Sequence, residues 1–582
     1  MTFLLLLLPS AAPATVLPSP TRPSAFFGLG KMWDLHLTIP ADEWKRMQPK
    51  GGFGTRPGQP PAEGRVRSQF GYEFAYVKAR LEIGGKAFDE VGVRFKGNST
   101  YAVTSAILKR PFKIELDRHV KGQHFLGVRK LSLNIHAMDP GACREALAYA
   151  VYREAGVPAP RTAFGFVTLT IPGKHDREVL GVYTLIENID KPFLKERFGT
   201  GKGMLLKPEN VGPLDHLGDK WESYEKRYRP RTGEPKPREQ KRLMEFTKLV
   251  QDKDEKRFRA EIGKHLHLDE FLRYLAATSL MSSLDSFMGL PHNYYLYLDP
   301  LTDRFMVMPW DLDHSFGSLT MFCTAQQLMD LSVRQPWLGR NPLVERLLKD
   351  PVHYAAYLGH IRTLLATGFT AARIKRDAAS IVSFLAPSKE KERVAKHKRG
   401  DGWNFSPLGM MLGKPPDIGT FAEKRVASVQ AQLEGKSKGF VITRGFGQPR
   451  PPLPIPLNSI VKALDADKDG KVSKDEARKG AAALFAALDR EKKGVLEEKA
   501  LAAGLEKVLP RQGFFGGPQT VLARQLAQGA VRQAGKAGKV DGPAFRALAE
   551  RLFAEADAGK AGKIAPKQVE EALRRLLPEA RR

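Results

Sequence analysis

An α+β fold is what this chain predicts, with a sheet-rich first part, a helix-rich continuation and an all-α unit at the C-terminal end. Three observations lead there. Short β-branched and aromatic runs bounded by Gly, Pro or Asp crowd the stretch from Trp33 to Leu205. Helical periodicity takes over after about Arg242. A Pro-rich segment, GFGQPRPPLPIPLN, then sets both apart from an acidic, Gly-punctuated repeat. A length of 582 residues suits two or three folded units.

The elements follow in order. The opening MTFLLLLLPSAAPATVLPSP has a short apolar run from Phe3 to Leu8 and an A-x-A pattern at Ala12 to Ala14, the form of a compact export leader over 1–14, although its first residues carry no Lys or Arg. The runs DLHLTIP, YVKARLEIGG, VGVRFKGNS, PFKIELD and KLSLNI read as strands, and GACREALAYAVYREAG as a helix stopped by Gly156. Two further strands, AFGFVTLTI and VLGVYTLIEN, complete a sheet with one packed helix. Between Asp215 and Arg242 the chain is polar and basic, which predicts a mobile surface excursion. HLDEFLRYLAATSLMSS is the clearest helix of the next part. Others are expected from Asn341 to Leu365, with Pro342 in the first turn, and from Ile418 to Glu434. The expected boundaries are therefore 30–444 for the first domain, 445–457 for the linker and 458–582 for the last domain.

Charge narrows the partners. A net charge of +29 draws acidic molecules, whether nucleotide, acidic protein, anionic envelope polymer or nucleic acid. The positive residues are dispersed, without a compact basic helix or an aromatic-interleaved basic motif, so no specific nucleic-acid recognition is expected. After the leader no apolar run approaches bilayer length, so no transmembrane segment is expected. Cys143 and Cys323 lie too far apart for a metal knuckle, and export permits a disulfide between them without requiring one.

The segment from Asp285 to Gly317, DSFMGLPHNYYLYLDPLTDRFMVMPWDLDHSFG, carries the most chemistry. A helix ends before Asp285, Asn293 opens the strand NYYLYL, and a turn at DPLTDR sends FMVMPW back antiparallel to end at Asp311 beside Asn293. Two oxygen ligands thus reach one edge, a set that suits Mg²⁺. A base before the hairpin, an Asn for metal and an Asp after the next strand is the arrangement phosphoryl transfer uses. An ordinary β-hairpin with polar ends would show the same local pattern.

With these residues in place, the region from about Trp33 to Gln432 resembles the CotH kinase family, atypical kinases named after a spore coat protein. The motifs that carry the resemblance are VRFKGNST, KRPFKIELD, CREALAYAVYREAGVPAPR, LGVYTLIENID, DSFMGLPHNYYLYLD and PWDLDHSFG. It implies a bilobal, atypical protein-kinase-like fold and transfer of phosphate from ATP to protein Ser/Thr, with Mg²⁺ or Mn²⁺. Under it, Lys113 would meet the ATP phosphates and Glu145 would hold Lys113 by an ion pair, with Arg144 as the adjacent alternative. The turn of Lys96, Gly97, Asn98 and Ser99 would cradle phosphate, or serve as a plain hairpin turn. Asp285 would be the base, and Asn293 and Asp311 would hold metal. Asp313 would assist or cap a turn. Glu187 would contact nucleotide at a hinge, or form a salt bridge. The chain departs from ordinary protein kinases: GGFGTRPG near Gly51 misses the G-x-G-x-x-G spacing, no H-R-D precedes Asp285, and Leu312 follows Asp311.

Beyond the linker, DADKDGKVSKDE from Asp465 to Glu476 fits the EF-hand calcium loop. Asp465, Asp467 and Asp469 stand at positions 1, 3 and 5, Gly470 turns the chain, Lys471 offers its carbonyl, Ser473 stands at position 9, and Glu476 supplies the bidentate carboxylate. Weaker copies begin at Asp489, Gln533 and Asp557, with equal offsets from one to two and from three to four. Two EF-hand pairs with one competent Ca²⁺ site are expected, because the other loops have lost their carboxylates. His265 and His267 form a lone H-x-H of packing character.

The leading expectation is an exported, metal-dependent kinase with a calcium-binding module, acting on a protein such as an envelope or coat protein. Two alternatives stand beside it: a non-catalytic envelope or coat scaffold, and an ATP-dependent modifier that transfers another group.

Overall fold

A computed structural model describes residues 23–52, 61–401, 415–442, 464–489, 493–508, 518–535, 538–574 and 576. The expected leader and linker lie outside these residues, as does most of GGFGTRPG. The chain divides into two compact units at about residues 446–447. Mixed helix and sheet run through it, as an α+β reading requires.

The first unit opens with seven strands: β1 (Met32–Thr38), β2 (Val77–Ile83), β3 (Lys86–Phe95), β4 (Phe112–Glu115), β5 (Lys130–Asn134), β6 (Thr162–Ile171) and β7 (His175–Glu187). Each coincides with a run foreseen above, but the sheet is closed, not open. Its order is β1-β2-β3-β4-β5-β7-β6, and β1 pairs in parallel with β6 from Met32↔Phe164 to Thr38↔Thr170 to shut the barrel. Alternation fills the interior: in β2, Val77, Ala79, Leu81 and Ile83 are buried while Lys78 and Arg80 face water. Closure removes sheet edges that would otherwise template pairing with another chain.

Helix α1 (Arg144–Glu154) joins β5 to β6, and α2 (Lys191–Phe198) follows β7. Next comes a four-stranded sheet built from β8 (Met204–Pro208), β9 (Tyr228–Pro230), β10 (Tyr294–Asp299) and β11 (Arg304–Pro309), in the order β9-β8-β10-β11. The polar stretch 215–242 is therefore not a simple excursion. Tyr224 and Tyr228 are fully buried and pin it, so β9 becomes an edge strand on β8. Helix α3 (Leu268–Leu280) leads into the hairpin. The single helix expected over 341–365 is two, Pro342–Lys349 and Pro351–Ala366, because Pro351 cannot continue the first and Asp350 caps the second. The long α4 (Ala371–Arg399) and then α5 (Ile418–Leu433) complete the unit, and α4 was not foreseen.

One buried ion pair fixes α4 to the barrel. Glu392 accepts from the Lys109 ammonium at 2.7 Å and from the Val182 backbone N–H at 2.9 Å. Gly181 makes this approach possible: its φ is 99°, and a Cβ there would meet the Glu392 side chain at 2.4 Å.

In the second unit, helix α6 (Lys474–Leu488) links the first loop to the second, and α7 (Gly542–Ala556) links the third to the fourth. The loops pair in a nested way that differs from the tandem pairs expected. Val472 lies opposite Ile564, and Val495–Glu497 lies opposite Lys539–Asp541, so loop one meets loop four and loop two meets loop three. A helix of 15 residues spans about 22 Å, which sets consecutive loops at opposite ends of it. Cys143 and Cys323 are both free. Among the described residues no helix is long and apolar enough to cross a membrane.

Candidate functional site

The hairpin is built as its pattern requires. Tyr294 pairs with Pro309, and the Trp310 N–H donates to the Asn293 carbonyl at 3.0 Å. Asn293 and Asp311 both take left-handed backbone at φ 57°, a conformation Asn and Asp tolerate better than most side chains. The Asn293 amide donates to the Asp285 carbonyl at 3.3 Å, tying the loop after α3 to the hairpin.

Asp285 is 9 % exposed and its carboxylate lies 2.7 Å from His292 Nε2. Burial works to raise its pKa, but the His292 ion pair, with help from His314 and Asn293, holds it below the usual carboxylate range. His292 responds in the opposite sense: burial opposes its charge, and Asp285 more than offsets that, so its pKa is raised. Asp285, Asp313 and His314 each offer a ligand atom within 4.8 Å of the others. Asp313 is thus the carboxylate that shares the cluster with Asp285. Burial, and then Asp311 and Asp285, push its pKa well up.

Helix α1 forms the next wall. Glu145 and Tyr149, one helical turn apart, face the same way. The Tyr149 hydroxyl accepts from the Asp311 N–H at 3.0 Å. Burial pushes Glu145 well above the carboxylate range, and the Asp311 and Asp313 charges add to it. Arg144 points elsewhere and donates to the Ser315 and Phe316 carbonyls at 3.2 Å, so it anchors the loop behind Asp313.

The expected Lys113–Glu145 ion pair does not form among the described residues. Lys113 donates instead to Ser132 at 3.1 Å and to Asn188, while Lys96 reaches Glu145 through a bridge: its ammonium donates to Asn134, whose amide donates to both Glu145 oxygens at 3.1 and 3.0 Å. Register explains the exchange. Arg94 lies opposite Lys113, and Lys96 is two residues further along the same face of β3. Burial lowers the Lys96 pKa, partly opposed by Asp311 and Glu145. Burial, then Lys96 and Arg94, bring Lys113 down to about 7.

A third cation was not foreseen. Lys207 on β8 stands 5.9 Å from the Trp310 ring centre, and Lys96 stands 6.0 Å from it. Burial, against the pull of Glu209, brings Lys207 down to about 8. His292, His314, Asn134, Asn188 and Tyr149 were also missed. The signal for the two histidines was their position, since each directly adjoins a residue already singled out.

Two expected contacts are reassigned. Both Glu187 oxygens are occupied by arginine: Arg161 donates through its backbone N–H at 2.9 Å and its guanidinium at 2.6 Å, and Arg197 donates at 2.7 Å. The β6–β7 register, with Glu187 N–H on the Arg161 carbonyl, places that arginine opposite, so Glu187 forms the salt bridge that was its alternative reading and holds β7 to α2. Of the turn Lys96–Ser99, only Lys96 enters the acidic centre. Gly97 turns at φ 98°, Asn98 accepts from the Gln69 N–H at 2.9 Å, and Ser99 starts a short helix.

Whether a divalent cation fits can be judged from the charges. Asp285, Asp311, Asp313 and Glu145 converge, and burial first, with the neighbouring carboxylates adding to it, pushes Glu145 and Asp313 toward their protonated forms. His314 Nδ1 is buried without a hydrogen-bond partner beside them. An oxygen-rich, under-neutralised set of this kind fits Mg²⁺ or Mn²⁺.

The loop from Asp465 to Glu476 forms a second candidate. Asp465 accepts from the Asp469 N–H at 3.0 Å and the Gly470 N–H at 2.9 Å, and Asp489 and Asp557 make the same turn in their own loops. Asp465, Asp467 and Glu476 bring ligand atoms within 4.8 Å of one another. Ser473 donates to Glu476 from its N–H and its hydroxyl, both at 2.8 Å, which holds that carboxyl down to about 2. Asp469 accepts from the Lys471 N–H at 2.8 Å. Lys563, from the fourth loop, donates to Asp467 at 2.8 Å and to Asp469.

Residues 93–428 match a family model described as CotH kinase protein. The inner spore coat protein H of Bacillus subtilis (strain 168) is 28% identical over 197 residues, which are 33% of this chain and 51% of that protein. The chain thus spans about half the length of that curated relative. Every residue of the acidic centre, from Lys96 to His314, falls inside the family match.

Proposed function

Because the chain belongs to the CotH kinase protein family, we propose that it is a two-lobed atypical kinase that transfers the γ-phosphate of ATP to a Ser or Thr hydroxyl of a protein. The observation that carries this reading is the buried Asp285–His292 pair set among three lysines and three further carboxylates. Asp285, kept ionised by His292, takes the proton of the acceptor hydroxyl as its oxygen bonds to the γ-phosphorus. The bond from phosphorus to the β–γ bridging oxygen breaks, and the charge on the departing ADP is met by Lys96, Lys113 and Lys207. Glu145 and Asn134 position Lys96, and Tyr149 and Arg144 hold the Asp311–Phe316 loop on which the carboxylates ride. Asn293, Asp311 and Asp313 would hold Mg²⁺ or Mn²⁺, which supplies charge neutralisation on the phosphate oxygens when bound.

In this reading the second unit is an EF-hand-like module in which Asp465, Asp467, Asp469, Lys471, Ser473 and Glu476 bind Ca²⁺. The repeated Asp-capped turn of three loops supports it. The leader-like 1–14 segment and the coat location in the relative's name support an exported protein with an envelope or coat acceptor.

The test uses ATP labelled at the γ- or the α-phosphate, with wild type and Asp285→Asn. Protein-bound label from the γ position alone, lost in the variant, is the expected result. Label from the α position would mean nucleotidyl transfer. No label from either, with folded protein and divalent metal, would refute enzymatic transfer and leave the scaffold.

A further inference from the structure

A groove of about 930 Å³ opens in the first unit where the β4–β5 turn, α2, the loop leading to β8 and the segment after β9 come together. Its walls carry Lys191, Lys195, Lys202, Lys236 and Arg129. The four lysines are exposed, and no carboxylate lies within 4.0 Å of their ammonium groups among the described residues. Some exposed lysines elsewhere in the chain are matched, Lys78 with Glu90, Lys375 with Glu423 and Lys436 with Glu434, each at 2.7 Å, whereas these four gather in one groove without a counter-charge. Of the groove's two glutamates, Glu239 accepts from the Lys236 backbone N–H at 2.7 Å and so serves its own helix.

We propose that this groove docks an acidic, extended segment of the protein acceptor. The inference rests on the kinase reading above and names the acceptor class. Charge complementarity is the first argument, since unpaired ammonium groups spread along a groove match carboxylates spread along a peptide. Side-chain chemistry is the second. No aromatic ring lines the groove to stack a base. Four of the five cations are ammonium groups, and the one guanidinium, the form that bidentate phosphate recognition favours, stands 3.6 Å from Asp117. Continuity is the third. Met204 lines the groove, and Lys207, three residues further along β8, stands 5.9 Å from the Trp310 ring centre, so one strand borders both sites.

The experiment measures anisotropy of a labelled Glu- and Ser-rich dodecapeptide, and of its Gln-for-Glu counterpart, on the full chain. One charge-reversal variant carries Lys191→Glu, Lys195→Glu and Lys202→Glu. A control with the same net charge carries Lys241→Glu, Lys248→Glu and Lys256→Glu. Wild type and control should bind the acidic peptide with strong salt dependence, and the groove variant should bind at least about tenfold more weakly. Equal loss in both variants, no binding by wild type, or loss in the groove variant of inorganic triphosphate binding alone would overturn the proposal. Transfer from labelled ATP, followed on the same proteins, separates the two readings. Peptide binding lost only in the groove variant, with no transfer by wild type, keeps the groove and refutes the kinase. Transfer whose KM for an acidic acceptor is unchanged in the groove variant keeps the kinase and refutes the groove.

Discussion

Lys113 gives the most direct handle on the proposed nucleotide site. Its ammonium is buried against Lys96 and Arg94 and titrates at about 7, and Lys207 titrates at about 8. A triphosphate brought against these amines favours their charged forms, so binding takes up protons wherever the amines start out neutral. At pH 8 most of Lys113 and a substantial part of Lys207 start out neutral, so binding takes up protons, the larger share at Lys113. At pH 6 both are already largely charged and their uptake falls toward zero. Affinity for metal-free ATP should therefore decline as pH rises from 6 to 9. Titration calorimetry in phosphate and in Tris buffer reads the uptake directly, because the two buffers differ in ionisation enthalpy. Lys113→Met should remove most of the uptake at pH 8. An uptake near zero in wild type, or one unchanged in the variant, would refute the assignment of Lys113 to the phosphate site.

Other perturbations test separate parts of the structure. His292→Ala removes the partner that holds Asp285 down, so the acidic limb of the kcat/KM profile should move to higher pH, and Asp285→Asn should cost about 10²- to 10⁴-fold in kcat while nucleotide still binds. An unmoved acidic limb would separate His292 from the base. Glu392→Gln leaves Lys109 buried without its counter-charge, which costs about 3–5 kcal/mol in comparable buried pairs and should appear as a clear drop in the thermal midpoint of the first unit. An unchanged midpoint would mean that α4 is held by apolar packing alone. Lys563→Met frees Asp467 and Asp469 from a tethered cation, so calcium titration should show tighter binding at the first loop. Equal or weaker binding would show that the lysine does not compete with the ion.

The strands of the barrel and the β10–β11 hairpin were legible because their alternation and turn residues are local properties. Asp285, Asn293 and Asp311 could be placed at one edge for the same reason. Barrel closure was not legible, since the parallel β1–β6 pairing joins segments more than a hundred residues apart and leaves no mark on either strand. The assignment of Lys113 to Glu145 failed on register. Alternation puts Lys96 and Lys113 on one face, opposite the Phe95 and Phe112 that enter the barrel core, but only the Arg94↔Lys113 pairing decides which of them stands nearer α1. Lys207 escaped notice because a single lysine within an apolar strand reads as a solvated residue until the sheet places it against Trp310.

The second unit shows how spacing misleads when it is read without helix length. Equal offsets between consecutive loops suit tandem pairs, yet they suit a nested arrangement just as well. The length of α6 decides between them, because a continuous helix of 15 residues cannot fold its two end loops against each other. Loop one must then take its partner from the far end of the sequence. In that pairing Ser473 lies opposite Lys563, so the seventh position of loop four is brought beside the acidic positions of loop one. A lysine there meets Asp467 and Asp469, whereas in a tandem pair it would have faced loop three. The absence of carboxylates from loop four and the cation that reaches loop one thus act on the same pair of loops, and the charge balance at loop one depends on both.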